Sequence, residues 1–279
     1  MDVLVATSLA EVHEGLRRSP GTRLLAGGTD LLVELRTTDA RPPAVLCVGD
    51  VPELLGWHHG DEEVTLGAGV TLSELAGTEL SDLFPALGVA ARSVACPQIR
   101  NAATLGGNIA TAAPTSDLIP VLAALDATAE VAGPHGRELR IGSAADSVKP
   151  GDVVVAVRVP LRRTTQTYLR VGARRGMAFP TAAVAVVVDL DARTLRCAVG
   201  GHGRAVDAEL WVADHIDWAA GRVPDPRTYE SFGELVATSA GPPQGGPGQR
   251  DTGQHNGVPV EYWRHAVGVL ARRALMGLL

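Results

Sequence analysis

Two glycine pairs, each followed by a residue with a hydrogen-bonding side chain, are the parts of this sequence best suited to bind phosphate. The first lies in Ala26-Gly27-Gly28-Thr29 and the second in Thr104-Leu105-Gly106-Gly107-Asn108. Consecutive backbone amides without side chains can approach an anion closely, and the positive end of a following helix adds to the attraction. Because a hydrogen bond to a charged group contributes about 1.5 to 3 kcal/mol, two such segments could hold the adjacent phosphates of one dinucleotide.

A single Gly-Gly turn ahead of a helix is most often only a tight connection, so this prediction depends on the presence of two matched segments. A further glycine-rich turn, Gly67-Ala68-Gly69, follows a predicted strand but lacks the third glycine of the dinucleotide fingerprint. No acidic residue follows it at the expected strand end. The sequence therefore argues against a nicotinamide-binding Rossmann domain.

The first glycine pair lies between a predicted strand and a predicted helix. The apolar run before it has the character of a strand, and Leu31, Leu32 and Leu35 after it form the apolar stripe of a helix. This order directs the amides of the turn toward an anion at the helix N-terminus. The elements of this unit, which we place at residues 1–55, are strand 3–6, helix 9–18 capped by Ser8, strand 23–25, the helix from Leu31 and strand 44–48.

The second glycine pair belongs to a unit that we place at residues 56–163. Ser116 and Asp117 precede an apolar helix and are its capping candidates, and Pro120 lies in the first turn, where proline is tolerated. The other elements predicted here are strand 63–66, a short helix from Ser73, helix 84–95, helix 118–125 and strands 128–132 and 153–159.

After Pro160 the pattern predicts a third unit, at residues 164–279. Its three successive strands are typical of an antiparallel meander, and they lie at residues 167–172, 182–190 and 194–199. Residues 241–257 are rich in Gly, Pro and Gln and predict a mobile loop. Helical periodicity returns at residues 260–279, with an apolar side formed by Trp263, Val267, Leu270 and Leu275. The whole chain is therefore predicted to have an α+β fold.

The composition excludes several classes of function. The formal net charge is −6 with no basic block, which argues against a nucleic-acid partner. No segment approaches the roughly 20 apolar residues that cross a bilayer, and no secretory signal precedes the first strand, so we expect no membrane partner and a cytoplasmic location. Cys47, Cys96 and Cys197 lie too far apart for the usual ligand spacing of zinc or an iron–sulfur cluster, so we expect free thiols and no metal.

Beyond these patterns, the sequence resembles the FAD-binding (medium) subunit of the xanthine dehydrogenase and carbon monoxide dehydrogenase family of molybdenum hydroxylases. The resemblance lies mainly in residues 24–31 and in the longer segment 104–117, with its ordered Gly-Gly-Asn, Pro and Ser-Asp. It continues in residues 98–101, 168–175 and 262–275 and covers nearly the whole chain. It implies a two-part FAD-binding domain of the PCMH type, followed by a C-terminal antiparallel sheet with helices.

The resemblance also implies which residues bind FAD. Those expected around the pyrophosphate are Leu24, Leu25, Ala26, Gly27, Gly28, Thr29, Asp30 and Leu31. Those expected at phosphate, ribityl or other hydroxyl oxygens are Thr104, Gly106, Gly107, Asn108, Thr111 and Asp117. Val155 and Arg170 fall where the family has an aliphatic contact and a lysine near the flavin. Since arginine is permanently charged and planar, Arg170 is a departure that could alter the flavin potential or the choice of acceptor.

The implied function is electron transfer within a complex. The partners would be a molybdenum-cofactor large subunit and a small subunit with two [2Fe–2S] clusters, and the acceptor would be NAD, oxygen or another molecule. Thr29 stands where related proteins with covalent flavin carry histidine, so we expect noncovalent FAD. We expect no catalytic side chain in this subunit. Residues 202–230 and 241–257 match the family loosely, so a partner-facing surface could differ.

Two other functions stay open at this point. The first is a stand-alone FAD-dependent oxidase or dehydrogenase, a monomer or dimer in which a small-molecule substrate meets the flavin directly. The absence of an obvious general base beside the glycine motifs weighs against it. The second is a flavin-free scaffold or interaction protein that has kept the fold, and the intact Gly-Gly-Asn and Ser-Asp elements weigh against that.

Overall fold

The computed structural model confirms an α+β architecture. It describes residues 1–113, 115–133, 137–141, 148–174, 177–200, 205–206, 216–218, 220–221, 223, 225–240, 254–255 and 258–279. Within these residues no helix is both long and apolar enough to cross a membrane. Most of the predicted loop at 241–257 lies outside the described residues.

A small parallel sheet forms the N-terminal part of the fold. Its strands have the order β1-β3-β2, and helices α1 and α2 connect them. The predicted cap at Ser8 is confirmed, since its Oγ accepts a hydrogen bond from the amide of Glu11 at 3.2 Å. The elements are β1 (Asp2–Val5), α1 (Leu9–Arg18), β2 (Arg23–Leu25), α2 (Leu31–Thr37) and β3 (Ala44–Cys47).

A five-stranded antiparallel sheet with a group of helices follows. The strand order is β4-β5-β8-β6-β7. Helices α6 and α7 and the edge strands β4 and β7 were not among the predicted elements. The bounds are β4 (Trp57–His59), β5 (Glu63–Gly67), α3 (Leu72–Leu75), α4 (Thr78–Leu83), α5 (Pro85–Ser93), α6 (Pro97–Ala102), α7 (Leu105–Thr111), α8 (Leu118–Ala124), β6 (Thr128–Ala132), β7 (Arg137–Arg140) and β8 (Val153–Pro160), after a 3-10 helix at Pro52–Leu54.

The C-terminal part contains the predicted antiparallel meander. Its strands have the order β12-β11-β10-β9. The C-terminal helix packs against β9 and β10, and the helix before it packs against the C-terminal helix. The elements are β9 (Thr164–Gly172), β10 (Pro180–Asp189), β11 (Thr194–Gly200), β12 (Ala205–Val206), α9 (Arg227–Ser239) and α10 (Val260–Leu278), with a short ribbon of β13 (Gln254–His255) and β14 (Val258–Pro259).

Strand β10 joins the two hydrophobic cores. All ten of its residues are buried, which explains its almost continuous apolar sequence. On one face, Ala183, Ala185 and Val187 belong to the core that contains the N-terminal and five-stranded sheets. On the other face, Val184 and Val186 pack with Trp263, Val267, Leu270 and Leu275 of α10. The C-terminal sheet is therefore packed against the glycine-rich part of the molecule as well as against its own helices.

Candidate functional site

The first glycine pair forms the turn between β2 and α2 and rests on the chain that leads into the second pair. A Cβ atom at Gly27 would lie 1.8 Å from the carbonyl oxygen of Ala102 and 3.1 Å from the Cα of Ala103. Gly28 has a φ of +71°, a conformation that side chains disfavour. Both glycines are thus required locally, Gly27 for close approach and Gly28 for its backbone conformation. The two segments predicted to act together lie side by side.

This turn offers unpaired hydrogen-bond donors. Among the described residues, no protein group accepts a hydrogen bond from the backbone amides of residues 26–31. Two carbonyl groups of the same stretch do have partners, since Gly28 accepts from Leu32 at 3.1 Å and Asp30 accepts from Glu34 at 2.9 Å. A row of free amides is the donor set that suits an anion such as a phosphate.

The backbone amides of the second glycine pair are hydrogen-bonded within the protein, which differs from the expectation. Thr104 caps helix α7, and its Oγ1 accepts from the amide of Gly107 at 3.2 Å. The amides of Leu105, Gly106 and Asn108 donate to the carbonyl oxygens of Val70, Ala68 and Thr104 at 2.8, 2.8 and 3.0 Å. The prediction that this segment supplies free amides is therefore wrong, because these donors are already satisfied within the protein.

Gly106 serves close packing against the neighbouring sheet. A Cβ atom there would lie 2.6 Å from the Cβ of Ala68. The amide of Ala68 in turn donates to the carbonyl of Val155 at 2.8 Å. Val155 lies at an irregularity in the β6–β8 pairing and is half-buried. The predicted aliphatic contact is thus brought next to the second glycine segment.

The side chain of Asn108 is held in a defined orientation. The Ser116 hydroxyl donates to Asn108 Oδ1 at 2.7 Å and accepts from the amide of Ile119 at 3.3 Å. Among the described residues no group accepts a hydrogen bond from Asn108 Nδ2. Ser116 therefore both caps helix α8 and leaves the Asn108 amide group as a free donor at the edge of the site. The sequence had identified the cap but not its contact with Asn108.

Asp117 forms a buried contact with the C-terminal sheet. Its Oδ1 accepts from the Tyr168 hydroxyl at 2.6 Å and lies 3.0 Å from Arg170 Nη1. Arg170 also donates to the carbonyl oxygens of Ser93 and Ala178. The side chain of Asp117 does not cap helix α8. Of the two capping candidates, Ser116 is the one that caps it. Tyr168 had not been predicted as a site residue.

Burial and charge act in opposite directions on Asp117. Desolvation raises the pKa of its carboxyl group, while the Tyr168 hydrogen bond and the Arg170 charge lower it. The pKa of Tyr168 is raised well above its ordinary value by burial and by the Asp117 carboxylate, so the phenol stays protonated as a donor. Burial has the larger effect, so the pKa of Asp117 lies above its ordinary value even with the Arg170 cation 3.0 Å away.

The remaining predicted residues frame the same region. Leu24 and Leu25 lie on β2, and Leu31 begins α2, while Thr29 and Asp30 complete the turn between them. Thr111 is exposed at the end of α7. Among the described residues, no group of three or more His, Cys, Asp or Glu side chains could hold a metal ion. The site thus presents hydrogen-bond donors for an anion and one fixed carboxylate.

The glycine-rich part of the chain matches a known protein family. Residues 1–162 match the family described as FAD binding domain in molybdopterin dehydrogenase. The chain is 28% identical over 261 residues to the carbon monoxide dehydrogenase medium chain of Afipia carboxidovorans, covering 91% of this chain and 87% of that one. It is 31% identical to the xanthine dehydrogenase FAD-binding subunit of Escherichia coli O157:H7, but that match covers only 56% of each chain.

The fold is shared over the full length of the chain. A crystal structure of the Cu,Mo-CO dehydrogenase superposes with a TM-score of 0.84 at 24% identity, covering 100% of this chain and 97% of the other. At this level of identity the comparison establishes the fold. It includes the C-terminal sheet and helices, which lie beyond the residues that the family match covers.

Proposed function

We propose, from the premise that this chain belongs to the family of FAD-binding domains in molybdopterin dehydrogenases, that it is the electron-transfer subunit of a molybdenum hydroxylase. It would accept electrons from [2Fe–2S] clusters of a partner subunit and pass them to NAD, oxygen or another acceptor. As in its family, the chain binds FAD and acts as an oxidoreductase subunit. When bound, FAD supplies the redox chemistry, and the protein supplies binding, orientation and electrostatics.

The observation that carries the proposal is the row of free amides at residues 26–31, held against the backbone that leads into Thr104. The donor set fits a diphosphate, because it offers several consecutive N–H groups that have no protein acceptor among the described residues. We assign the pyrophosphate to this first turn alone. The second segment, whose amides are engaged, would contribute the Asn108 amide group and the hydroxyls of Thr104 and Thr111.

The other predicted residues take complementary roles in this proposal. Asp117 accepts a hydrogen bond from a hydroxyl group of the cofactor. Val155 offers an aliphatic surface beside the flavin. Arg170 supplies a positive charge, but three protein oxygens already engage it. We therefore infer that its influence on the flavin is electrostatic, with its position fixed by the protein.

Partner subunits are part of this proposal. Relatives of this chain are the medium chain of a carbon monoxide dehydrogenase and the FAD-binding subunit of a xanthine dehydrogenase. We therefore propose that hydroxylation takes place on a molybdenum-cofactor large subunit and that a [2Fe–2S] small subunit carries the electrons to this chain. We also propose that the organisation at residues 1–55, 56–163 and 164–279 corresponds to two parts of the FAD-binding domain and a C-terminal domain.

The experiment that tests this function is purification of the chain expressed alone and together with the large and small subunits proposed as its partners. We expect a yellow protein with the spectrum of bound flavin that co-purifies with a molybdenum subunit and a cluster subunit. Bleaching by substrate should require the full complex. A yellow protein that oxidises a small molecule by itself would instead establish the stand-alone oxidase. A colourless protein that does not bind added FAD would establish the flavin-free scaffold.

A further inference from the structure

The contacts of Asp117 extend the site beyond the residues that the family match covers. Tyr168 and Arg170 lie two positions apart on β9 and so face the same side of the sheet. Both contact the same oxygen, Oδ1 of Asp117. The hydrogen bond from Tyr168 joins residues 51 positions apart in the sequence. A carboxylate of the FAD-binding domain is therefore held in place by the C-terminal sheet.

The second oxygen of Asp117 is left open. Among the described residues no group donates a hydrogen bond to Asp117 Oδ2, and the Asp117 side chain is 7% exposed. The carboxylate is thus fixed through one oxygen, and the protein leaves the other without a donor. A carboxylate held in this way is suited to accept a hydrogen bond from a ligand hydroxyl, because a rigid acceptor loses little conformational freedom when the ligand binds.

Asp117 is connected to the second glycine segment through Ser116. Ser116 precedes Asp117 in the chain and holds Asn108 at 2.7 Å. The Asn108 amide group is thus oriented by Ser116, while Asp117, the next residue in the chain, is oriented by β9. An amide donor and a carboxylate acceptor together suit the hydroxyl groups of a phosphorylated polyol chain, because a hydroxyl can both accept and donate a hydrogen bond.

We propose that Tyr168 is a positioning residue for FAD, whose hydroxyl fixes Asp117 so that the carboxylate presents its open oxygen to a hydroxyl group of the cofactor. This inference rests on the proposed function and adds to it that Tyr168, acting through Asp117, is part of the binding site. Tyr168 does not touch the cofactor in this account. It acts through Asp117.

The test is a double-mutant cycle on the full chain, with FAD titrated and binding followed by quenching of flavin fluorescence. Tyr168→Phe removes only the hydroxyl from a buried ring and should raise the Kd for FAD about 10-fold, in keeping with the loss of a hydrogen bond to a charged group. Asp117→Asn should raise it at least as much. If Tyr168 acts through Asp117, Tyr168→Phe should add less than about twofold in the Asp117→Asn background.

Tyr262→Phe is the matched control, because it makes the same chemical change at an exposed tyrosine on α10. It should leave the Kd unchanged. A lower melting temperature of the FAD-free Tyr168→Phe chain with an unchanged Kd would show a purely structural role, and additive effects in the double variant would equally overturn the proposal. Should Tyr168→Phe fail to fold, an unchanged Kd in folded Asp117→Asn overturns it. If the unmodified chain does not bind FAD, the proposed function itself fails.

Discussion

Replacement of Gly27 by alanine is the most direct test of how the two glycine segments meet. The added Cβ would lie 1.8 Å from the carbonyl oxygen of Ala102 and 2.5 Å from its carbonyl carbon. Ordinary carbon–oxygen contacts begin at about 3.3 Å, so the turn must move by roughly 1.5 Å. The obstacle is backbone, which cannot rotate away. Overpacking of this kind typically costs about 1 to 3 kcal/mol of folding free energy.

The effect on cofactor binding should be larger than the effect on folding. A displacement of this size misaligns the amides of residues 26–31 with the pyrophosphate. Loss of two hydrogen bonds to a charged group, at about 1.5 to 3 kcal/mol each, corresponds to at least roughly a 100-fold weaker Kd. The assays are FAD titration by fluorescence quenching and urea unfolding of the FAD-free chain, which measures the folding cost separately.

Gly49→Ala is the matched control for this prediction. No atom lies within 4 Å of a Cβ at Gly49, and its backbone is not in the left-handed region. We expect unchanged FAD affinity and a stability change within about 1 kcal/mol. If Gly27→Ala binds FAD as tightly as the unmodified chain, the turn does not hold the pyrophosphate in the way described.

Three further predictions concern single residues. Asn108→Leu keeps the side-chain volume but removes the free amide donor, so FAD titration should show about 10-fold weaker binding; an unchanged Kd would remove Asn108 from the site. Since Thr29 replaces the histidine of covalent flavoproteins, acid precipitation should leave all flavin in the supernatant, and a yellow pellet would contradict noncovalent binding. Because complete burial raises the pKa of the Cys197 thiol, iodoacetamide at pH 8 should modify at most Cys47 and Cys96 in the folded chain, as intact mass will show, and all three only in urea.

Several elements of this fold could be predicted because their signals are local. Ser8 precedes an amphipathic run and caps α1, as a short polar side chain does at such a position. The apolar run of β10 and the periodicity of α10 likewise record the burial of their own residues. Helices α6 and α7 were not predicted, because they are short and contain Pro97 and a glycine pair that suggest a turn.

The glycine motifs show what local sequence patterns cannot predict. The sequence identified both pairs, but a glycine is required either by a ligand or by the protein's own packing, and its neighbours in sequence do not distinguish the two. Gly106 is required by Ala68, and the amides around it are consumed within the protein. The turn at Gly27 leaves its amides free. Only the positions of distant backbone atoms decide between these cases.

The sequence by itself determined the family, the α+β class and the two glycine segments that we propose as the site. The tertiary structure alone decided that Gly27 abuts Ala102 and that Tyr168 and Arg170 converge on one oxygen of Asp117. The physical reason is that helix and strand formation depend on residues a few positions apart, whereas hydrogen bonds across the core depend on how whole elements pack. The periodicity of the sequence does not predict the distances between residues of different elements.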